Sequence, residues 1–314
     1  MPRSFHYRHF PAPALLEAKG DRRISVCLPA RNEEATVGQM VTAIRAELMV
    51  RLPLVDEVIV IDDGSTDATA AAARAAGADV WAAAAIDPLV SGSGAGGVGV
   101  GVVGAAPGGK GQAMWKAVHA SSGDLVVFCD ADVQHFGPHF VTGLVGPLLL
   151  RDDVLFVKGF YHRPLHGRAG EGGRVTELVA RPLIAALFPH LSDLAQPLAG
   201  ECAARREVLH AVPFVDGYGV DLGLVIDVAE RWGVDALAQC DLGERVHRNR
   251  PLAELGPQAL AVVQVALSRA GVAPGAAGLV PWQSRLVRPG AETVAVAFSE
   301  RPPLAAVAAR RRTA

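Results

Sequence analysis

No two of the four cysteines in this 314-residue chain are spaced as C-x-x-C. Cys27, Cys129, Cys202 and Cys240 are scattered, most of them in apolar segments where a thiol behaves as a small hydrophobe. A reduced, cytoplasmic compartment is the simplest reading. Excess charge is also missing. A net charge of −2 gives no support for nucleic-acid binding, so an anionic ligand must be held by local basic residues. Met1 to Phe10 mixes Arg, His and aromatics and has no apolar signal core. The one long uncharged stretch, Pro88 to Gly109, is long enough on count alone to span a membrane. Glycine dominates Ser91 to Gly104, however, and contributes little transfer free energy, so this stretch reads as a flexible insertion in a soluble protein with no membrane partner. No G-x-G-x-x-G follows the first strand, which disfavours a dinucleotide-binding fold. The lysine at Lys110 lacks the upstream spacing and the following Ser/Thr of a Walker A loop.

Half of the residues are hydrophobic, enough for a sizeable α/β core. Ile24 to Pro29 reads as a first buried strand, followed by the polar turn Ala30-Arg31-Asn32-Glu33-Glu34 and a helix over Thr36 to Val50. Glu57 to Asp62 is a second strand. Gly64 makes the turn after it, and Ser65 or Thr66 can cap the Ala-rich helix through Ala76. Asp79 to Trp81 is a short third strand. Gly108-Gly109-Lys110-Gly111 opens a helix through Ala120, with glycines that permit close backbone approach to phosphate.

Gly123 to Val133 is the stretch around which the chain is organised. Its Val-rich run reads as a buried parallel strand ending in Asp130 and Asp132, two residues apart. Ligands of open α/β sheets bind beyond the carboxyl ends of the strands, and carboxylates there suit a hard divalent cation with phosphate oxygens. The plainer alternative makes Asp130 a strand end and Asp132 a turn residue. A helix follows from Pro138 to Leu150, completing a doubly wound, mostly parallel sheet in the first half.

In the second half, Leu155 to Tyr161 reads as a strand and Gln196 to Ala203 as a strand or turn. Val220 to Trp232 is a helix, Ala236 to Asp241 a strand, and Leu252 to Arg269 a closing helix. The Pro/Gly/Ala-rich remainder reads as loosely ordered. Arg174 stands near a helix N-terminus, against the macrodipole, and an anion bound beside it would resolve the conflict; a solvated arginine is the alternative. His247, flanked by Arg245, Arg248 and Arg250, is a candidate metal or phosphate ligand, or a structural histidine.

LPARNEE, VIVIDDGSTD, GKGQAMWKAV and CDADVQHF, in that order, resemble the nucleotide-sugar-binding core of the GT-A glycosyltransferases. VKGFYHRPL, GGRVTELVARPLIAALFP, QPLAGECAARREVL, GYGVDLGLVIDV and DLGERVHRNRPL are similar to the glucosyl-3-phosphoglycerate synthases within them, over about Ile24 to Arg269. The resemblance implies a GT-A fold, Rossmann-like, with a C-terminal acceptor-binding region. It divides the chain into an N-terminal extension (1–23), a nucleotide-sugar half (24–161, with an insertion at 84–109), an acceptor and metal-histidine half (162–272) and a tail (273–314).

It further implies retaining transfer of glucose from UDP- or GDP-glucose to the 2-hydroxyl of 3-phosphoglycerate, with Mg2+ or Mn2+, by a homodimer. Pro29, Ala30, Asn32, Glu33, Asp62, Gly109, Lys110, Asp130 and Ala131 would bind the donor. Gly173, Arg174, Val175, Thr176 and Asn249 would bind the acceptor. Asp132 and His247 would hold the metal, while Asp132, Asp221 and Arg245 would serve catalysis. Two departures stand out: the Gly/Ala-rich insertion, and Asp221 where family members can carry glutamate. The alternatives are a GDP-mannose-dependent mannosyl-3-phosphoglycerate synthase, a polyprenyl-phosphate sugar transferase and a non-catalytic nucleotide-sugar-binding protein.

Overall fold

The computed structural model describes residues 1–90, 109–162, 173–245, 252–272, 283–286 and 294–307. The strands are β1 (Arg3–His6), β2 (Ile24–Ala30), β3 (Glu57–Asp62), β4 (Asp79–Ala82), β5 (Leu125–Phe128), β6 (Phe156–His162), β7 (Cys202–Arg205), β8 (Phe214–Val215), β9 (Leu237–Glu244), β10 (Gln283–Leu286), β11 (Val294–Ala297) and β12 (Glu300–Arg301). The helices are α1 (Ala12–Lys19), α2 (Val37–Ile44), α3 (Thr69–Ala75), α4 (Ala83–Val90), α5 (Lys110–Ala120), α6 (His139–Leu150), α7 (Arg181–Leu187), α8 (Arg206–Ala211), α9 (Val220–Trp232) and α10 (Leu252–Arg269).

One sheet runs through both halves of the chain, in the order β1-β9-β6-β7-β5-β2-β3-β4. Every pairing in it is parallel except those of β7, which lies antiparallel between β5 and β6. The strands are apolar along their length because both faces are covered. Val26, Leu28, Val60 and Val127 pack into one core with Met40 and Phe140, while Cys27, Ile59, Ile61 and Val126 pack into the other with Trp115 and Phe214. All four cysteines are buried free thiols. Among the described residues no helix is long and apolar enough to cross a membrane.

Several expectations change. The segment read as an N-terminal extension supplies β1, whose Arg3 to His6 pair with Ala238 to Asp241 of β9, and α1. The helix over Thr36 to Val50 is α-helical only to Ile44 and continues as a π-helical segment, Arg45–Arg51. Neither Ser65 nor Thr66 caps α3; instead Asp67 accepts from the Thr69 backbone N–H at 3.0 Å. The tail is partly structured. β10 pairs with β11, and β12 with β8, where the Asp216 N–H donates to the Ser299 carbonyl at 2.9 Å. Of the insertion, Ala83–Val90 forms α4 and 91–108 lie outside the described residues, as do the strand-to-helix loop 163–172, residues 246–251 and the Arg310-Arg311-Arg312 tail.

Candidate active site

A cavity of about 400 Å3 opens where β2 and β5 end and α5 and α9 begin. Pro29 and Ala30 enter its wall from β2, and Glu33 from the turn beyond. The turn after β5 contributes Asp130, Ala131 and Asp132. That turn is pinned: Thr36 donates its hydroxyl to the Ala131 carbonyl at 2.6 Å, and the Cys129 N–H reaches the Cys27 carbonyl at 3.2 Å. Gly109 and Lys110 come from the start of α5, Asp221 from the first turn of α9, and Arg245 from the end of β9. Gly173 to Thr176, at the start of the helical run ending in α7, form a further wall. Fourteen residues separated in sequence by up to 216 positions thus meet in one place.

Two expected donor residues do not reach the cavity. Asn32, at φ 57°, accepts from the Thr66 N–H at 2.8 Å, and Asp62 accepts from the Ser65 N–H at 3.0 Å. The Asn32 amide oxygen ties the two turns together, and the Asp62 carboxylate closes its own. Their neighbours Arg31 and Asp63 line the cavity instead. Asp63 accepts from the Gly109 N–H at 2.8 Å, and burial raises its pKa. His247 and Asn249 lie outside the described residues.

The glycines around Lys110 have a packing role. A Cβ on Gly109 (φ 131°) would press on the Asp216 carbonyl, and one on Gly111 on the Val215 carbonyl. These glycines let the first turn of α5 sit against β8, where the Gln112 N–H also bonds the Asp216 carbonyl at 3.1 Å.

Alternating charges run across the cavity floor. Lys110 Nζ lies 2.9 Å from Asp130 Oδ1 and 2.9 Å from Asp221 Oδ2. Lys158 Nζ lies 2.9 Å from Asp221 Oδ1. Arg245 uses its fork twice. Nη2 donates to Asp132 Oδ1 at 2.6 Å and to Asp130 Oδ2 at 3.2 Å, whereas Nη1 donates to the Tyr161 hydroxyl at 2.5 Å and to Glu201 at 3.1 Å. Glu201 in turn accepts from the Tyr161 hydroxyl at 2.7 Å. Burial opposes ionisation of Asp130, yet Lys110 and Arg245 hold its carboxyl well below the ordinary value. Burial would lower the pKa of Lys110 and Arg245, but their carboxylate partners, Asp130 foremost for Lys110 and Glu201 for Arg245, raise both. Glu201 itself is raised by its burial, against the pull of Arg245.

Lys158, Tyr161 and Glu201 were not among the expected residues. A single charge inside an apolar run (VKGFY, LAGECAA) was the signal, because a buried charge needs a partner. Among the described residues no three His, Cys, Asp or Glu side chains cluster as a ready metal cage. Asp130 and Asp132 provide hard oxygen donors on a polar cavity wall, and 34% of the Asp132 side chain stays exposed there. That donor set fits Mg2+ or Mn2+ completed by phosphate oxygens.

Residues 25–169 match the family described as Glycosyl transferase family 2. The glucosyl-3-phosphoglycerate synthase of Mycolicibacterium paratuberculosis is 45% identical over 98% of this chain and 92% of its own length. That of Petrotoga mobilis is 41% identical over 86% of this chain and 81% of its own. The crystal structure of glucosyl-3-phosphoglycerate synthase from Mycobacterium tuberculosis with Mn2+, UDP-glucose and phosphoglyceric acid superposes with a TM-score of 0.82 at 43% identity, covering 96% of this chain and 98% of that one. A second, holding Mn2+, UDP and glucosyl-3-phosphoglycerate, gives 0.79 at 42% over 97% and 99%. A third holds Mg2+ and UDP, at 0.79 and 43% over 96% and 98%.

Proposed function

This chain belongs to the glucosyl-3-phosphoglycerate synthase family, and from that footing we propose that it transfers glucose from UDP-glucose to the 2-hydroxyl of 3-phosphoglycerate with retention at the anomeric carbon. It is a metal-dependent glycosyltransferase using Mg2+ or Mn2+. One observation carries the assignment to residues: the Asp130/Asp132 carboxylates share a cavity and a common set of ion pairs with Lys110 and Arg245. An acidic pair beside two fixed cations suits a metal-bound diphosphate.

In this reading Asp132, with His247 from the undescribed segment, would hold the ion, and Asp130 would orient Lys110 and Arg245 beside it. The bound ion would supply Lewis-acid neutralisation of the diphosphate. Pro29, Ala30, Glu33 and Asp63 would receive the base and ribose. Asp221 faces the cavity with both carboxylate oxygens already engaged by lysines, placing a fixed negative group where sugar hydroxyls can donate. Arg174 and Thr176, joined by Asn249, would bind the phosphate and carboxylate of the acceptor.

Lys110 and Arg245 stabilise the charge that grows on the departing diphosphate, the largest kind of contribution a fixed site makes. Asp221 lies between two lysines and Glu201 is fully buried beneath Arg245, so neither is poised to form a glycosyl ester. In this reading the acceptor hydroxyl attacks on the face the diphosphate leaves. The anomeric C–O bond to the diphosphate breaks as the new C–O bond forms, and the hydroxyl proton passes to a donor phosphate oxygen. Positioning supplies much of the remaining acceleration. The family resemblance supports a homodimer. The buried free thiols support a reducing compartment.

The test is a donor screen with 3-phosphoglycerate and Mg2+ or Mn2+, with and without chelator, following nucleoside diphosphate release and product mass. Chelator-sensitive turnover with UDP-glucose is the expected result. Turnover with GDP-mannose alone would replace the sugar, and none with 3-phosphoglycerate would remove Arg174 and Thr176 from the acceptor site.

A further inference from the structure

Lys158 occupies the middle of the sheet, on β6, in register with Cys202 of β7 on one side and Gln239 of β9 on the other. Its side chain is 2% exposed and contributes nothing to the cavity wall. An ammonium taken out of water is costly, and an apolar side chain of equal length would fill the same space without that cost. The contact it makes is with Asp221 Oδ1, at 2.9 Å. Asp221 is itself almost wholly buried, 4% exposed, and its other oxygen holds Lys110, which in turn holds Asp130.

Resting on the donor-site reading above, we propose that Lys158 is a positioning residue for sugar transfer, acting through Asp221. The geometry gives the route. The rigid strand fixes Nζ, Nζ fixes Oδ1, and the carboxylate plane so fixed aims Oδ2 at Lys110. Lys110 needs that aim. It sits at the start of α5, where the helix dipole repels a cation, and two carboxylates share the task of holding it. Asp221 stands at the start of α9, where the dipole favours its charge. Lys158 and the α9 N-terminus together keep the Asp221 side chain in one rotamer behind the donor.

The experiment is a double-mutant cycle of wild type, Lys158→Met, Asp221→Asn and the pair, read as kcat/KM for UDP-glucose and KM for 3-phosphoglycerate. Lys158→Met is expected to lower donor kcat/KM by about tenfold to hundredfold, the usual effect of removing a supporting partner of a site residue. The acceptor KM stays unchanged. In the Asp221→Asn background the same substitution changes donor kcat/KM little, because the group it acts through is already altered. Equal losses in both backgrounds, or a loss carried by the acceptor KM, would overturn the proposal. Where turnover of the Asn variants is too slow, calorimetric titration of UDP-glucose with Mn2+ reads the same cycle. Should Lys158→Met not fold, Lys158→Gln, which is uncharged and one bond shorter and so loses the ion pair to Asp221, replaces it under the same criteria. Wild-type protein that neither binds nor turns over UDP-glucose overturns the function reading and this proposal with it; turnover with an additive cycle overturns Lys158 alone.

Discussion

Gly200 lies in the turn leading into β7, and its missing side chain is what lets Asp130 stand where it does. The three atoms nearest to a Cβ built there are both carboxylate oxygens and Cγ of Asp130. The backbone of that turn is pinned, by Ala199 N–H to the Gln196 carbonyl at 3.0 Å and Gly159 N–H to the Glu201 carbonyl at 2.8 Å. In Gly200→Ala the carboxylate must therefore swing, giving up Lys110 Nζ at 2.9 Å and Arg245 Nη2 at 3.2 Å. Hydrogen bonds to charged groups contribute about 1.5–3 kcal/mol each; solvent reaches part of Asp130 and the 3.2 Å contact is long, so the low end applies, roughly 3 kcal/mol for both. If that loss falls on the transition state, kcat/KM drops by about two orders of magnitude. Stability should suffer less, because Lys110 keeps Asp221 and Arg245 keeps Asp132, Glu201 and Tyr161. Steady-state kinetics and urea unfolding measure the two effects. The decisive control is Asp130→Ala, which removes the colliding group: Gly200→Ala added to it should cost no further stability. Wild-type kinetics in Gly200→Ala, or an undiminished penalty in the double variant, would refute the reasoning.

Asp132→Ala should abolish turnover, and retained activity at saturating Mn2+ would remove Asp132 from the metal site. Arg245→Met strands Glu201, which is 0% exposed, and removing one partner of a buried pair costs about 3–5 kcal/mol. Urea unfolding should show that loss, partly recovered in Arg245→Met/Glu201→Gln. Burial lowers the pKa of His139 below its ordinary 6.5, so the folded protein binds fewer protons there than the unfolded chain. Its contribution is present above pH 6.5 and is lost as pH falls through the region below. Relative to wild type, His139→Gln should lose less stability between pH 7.5 and about pH 5.5, read from urea midpoints; parallel pH profiles would contradict this.

The sequence made legible what local patterns encode. Val and Ile runs broken by Gly and Asp mark β2, β3 and β5, and apolar periodicity with flanking Gly or Pro marks α9 and α10 at the bounds observed. β1 escaped because Arg3-Ser-Phe-His carries no apolar run; it is a strand only by pairing with β9, more than two hundred residues away. DDGSTD offers two carboxylates, and which one meets the cavity is not written in the motif: Asp62 bonds the Ser65 N–H, whereas Asp63, just past the end of β3, lines the cavity. Lys158 and Glu201 escaped for another reason. Each looks like an isolated charge in an apolar segment until the fold supplies Asp221 and Arg245 as partners.

That pairing follows from the reversal of β7. In a parallel sheet, the edge where ligands bind receives only residues that leave strands. β7 runs the other way, so at the same edge it delivers residues that enter it. Cys202, its first residue, is in register with Phe128, the last of β5, and with Lys158 of β6. Gly200 and Glu201 are thereby set beside Asp130, which has just left β5, and near Arg245, which has just left β9. An entering segment is anchored by the ladder on both of its flanks, as the Gly159 to Glu201 hydrogen bond shows on one of them. The carboxylate that steadies Arg245 and the gap that admits Asp130 therefore sit in the two residues just before β7, where the sheet register fixes their place beside β5 and β6.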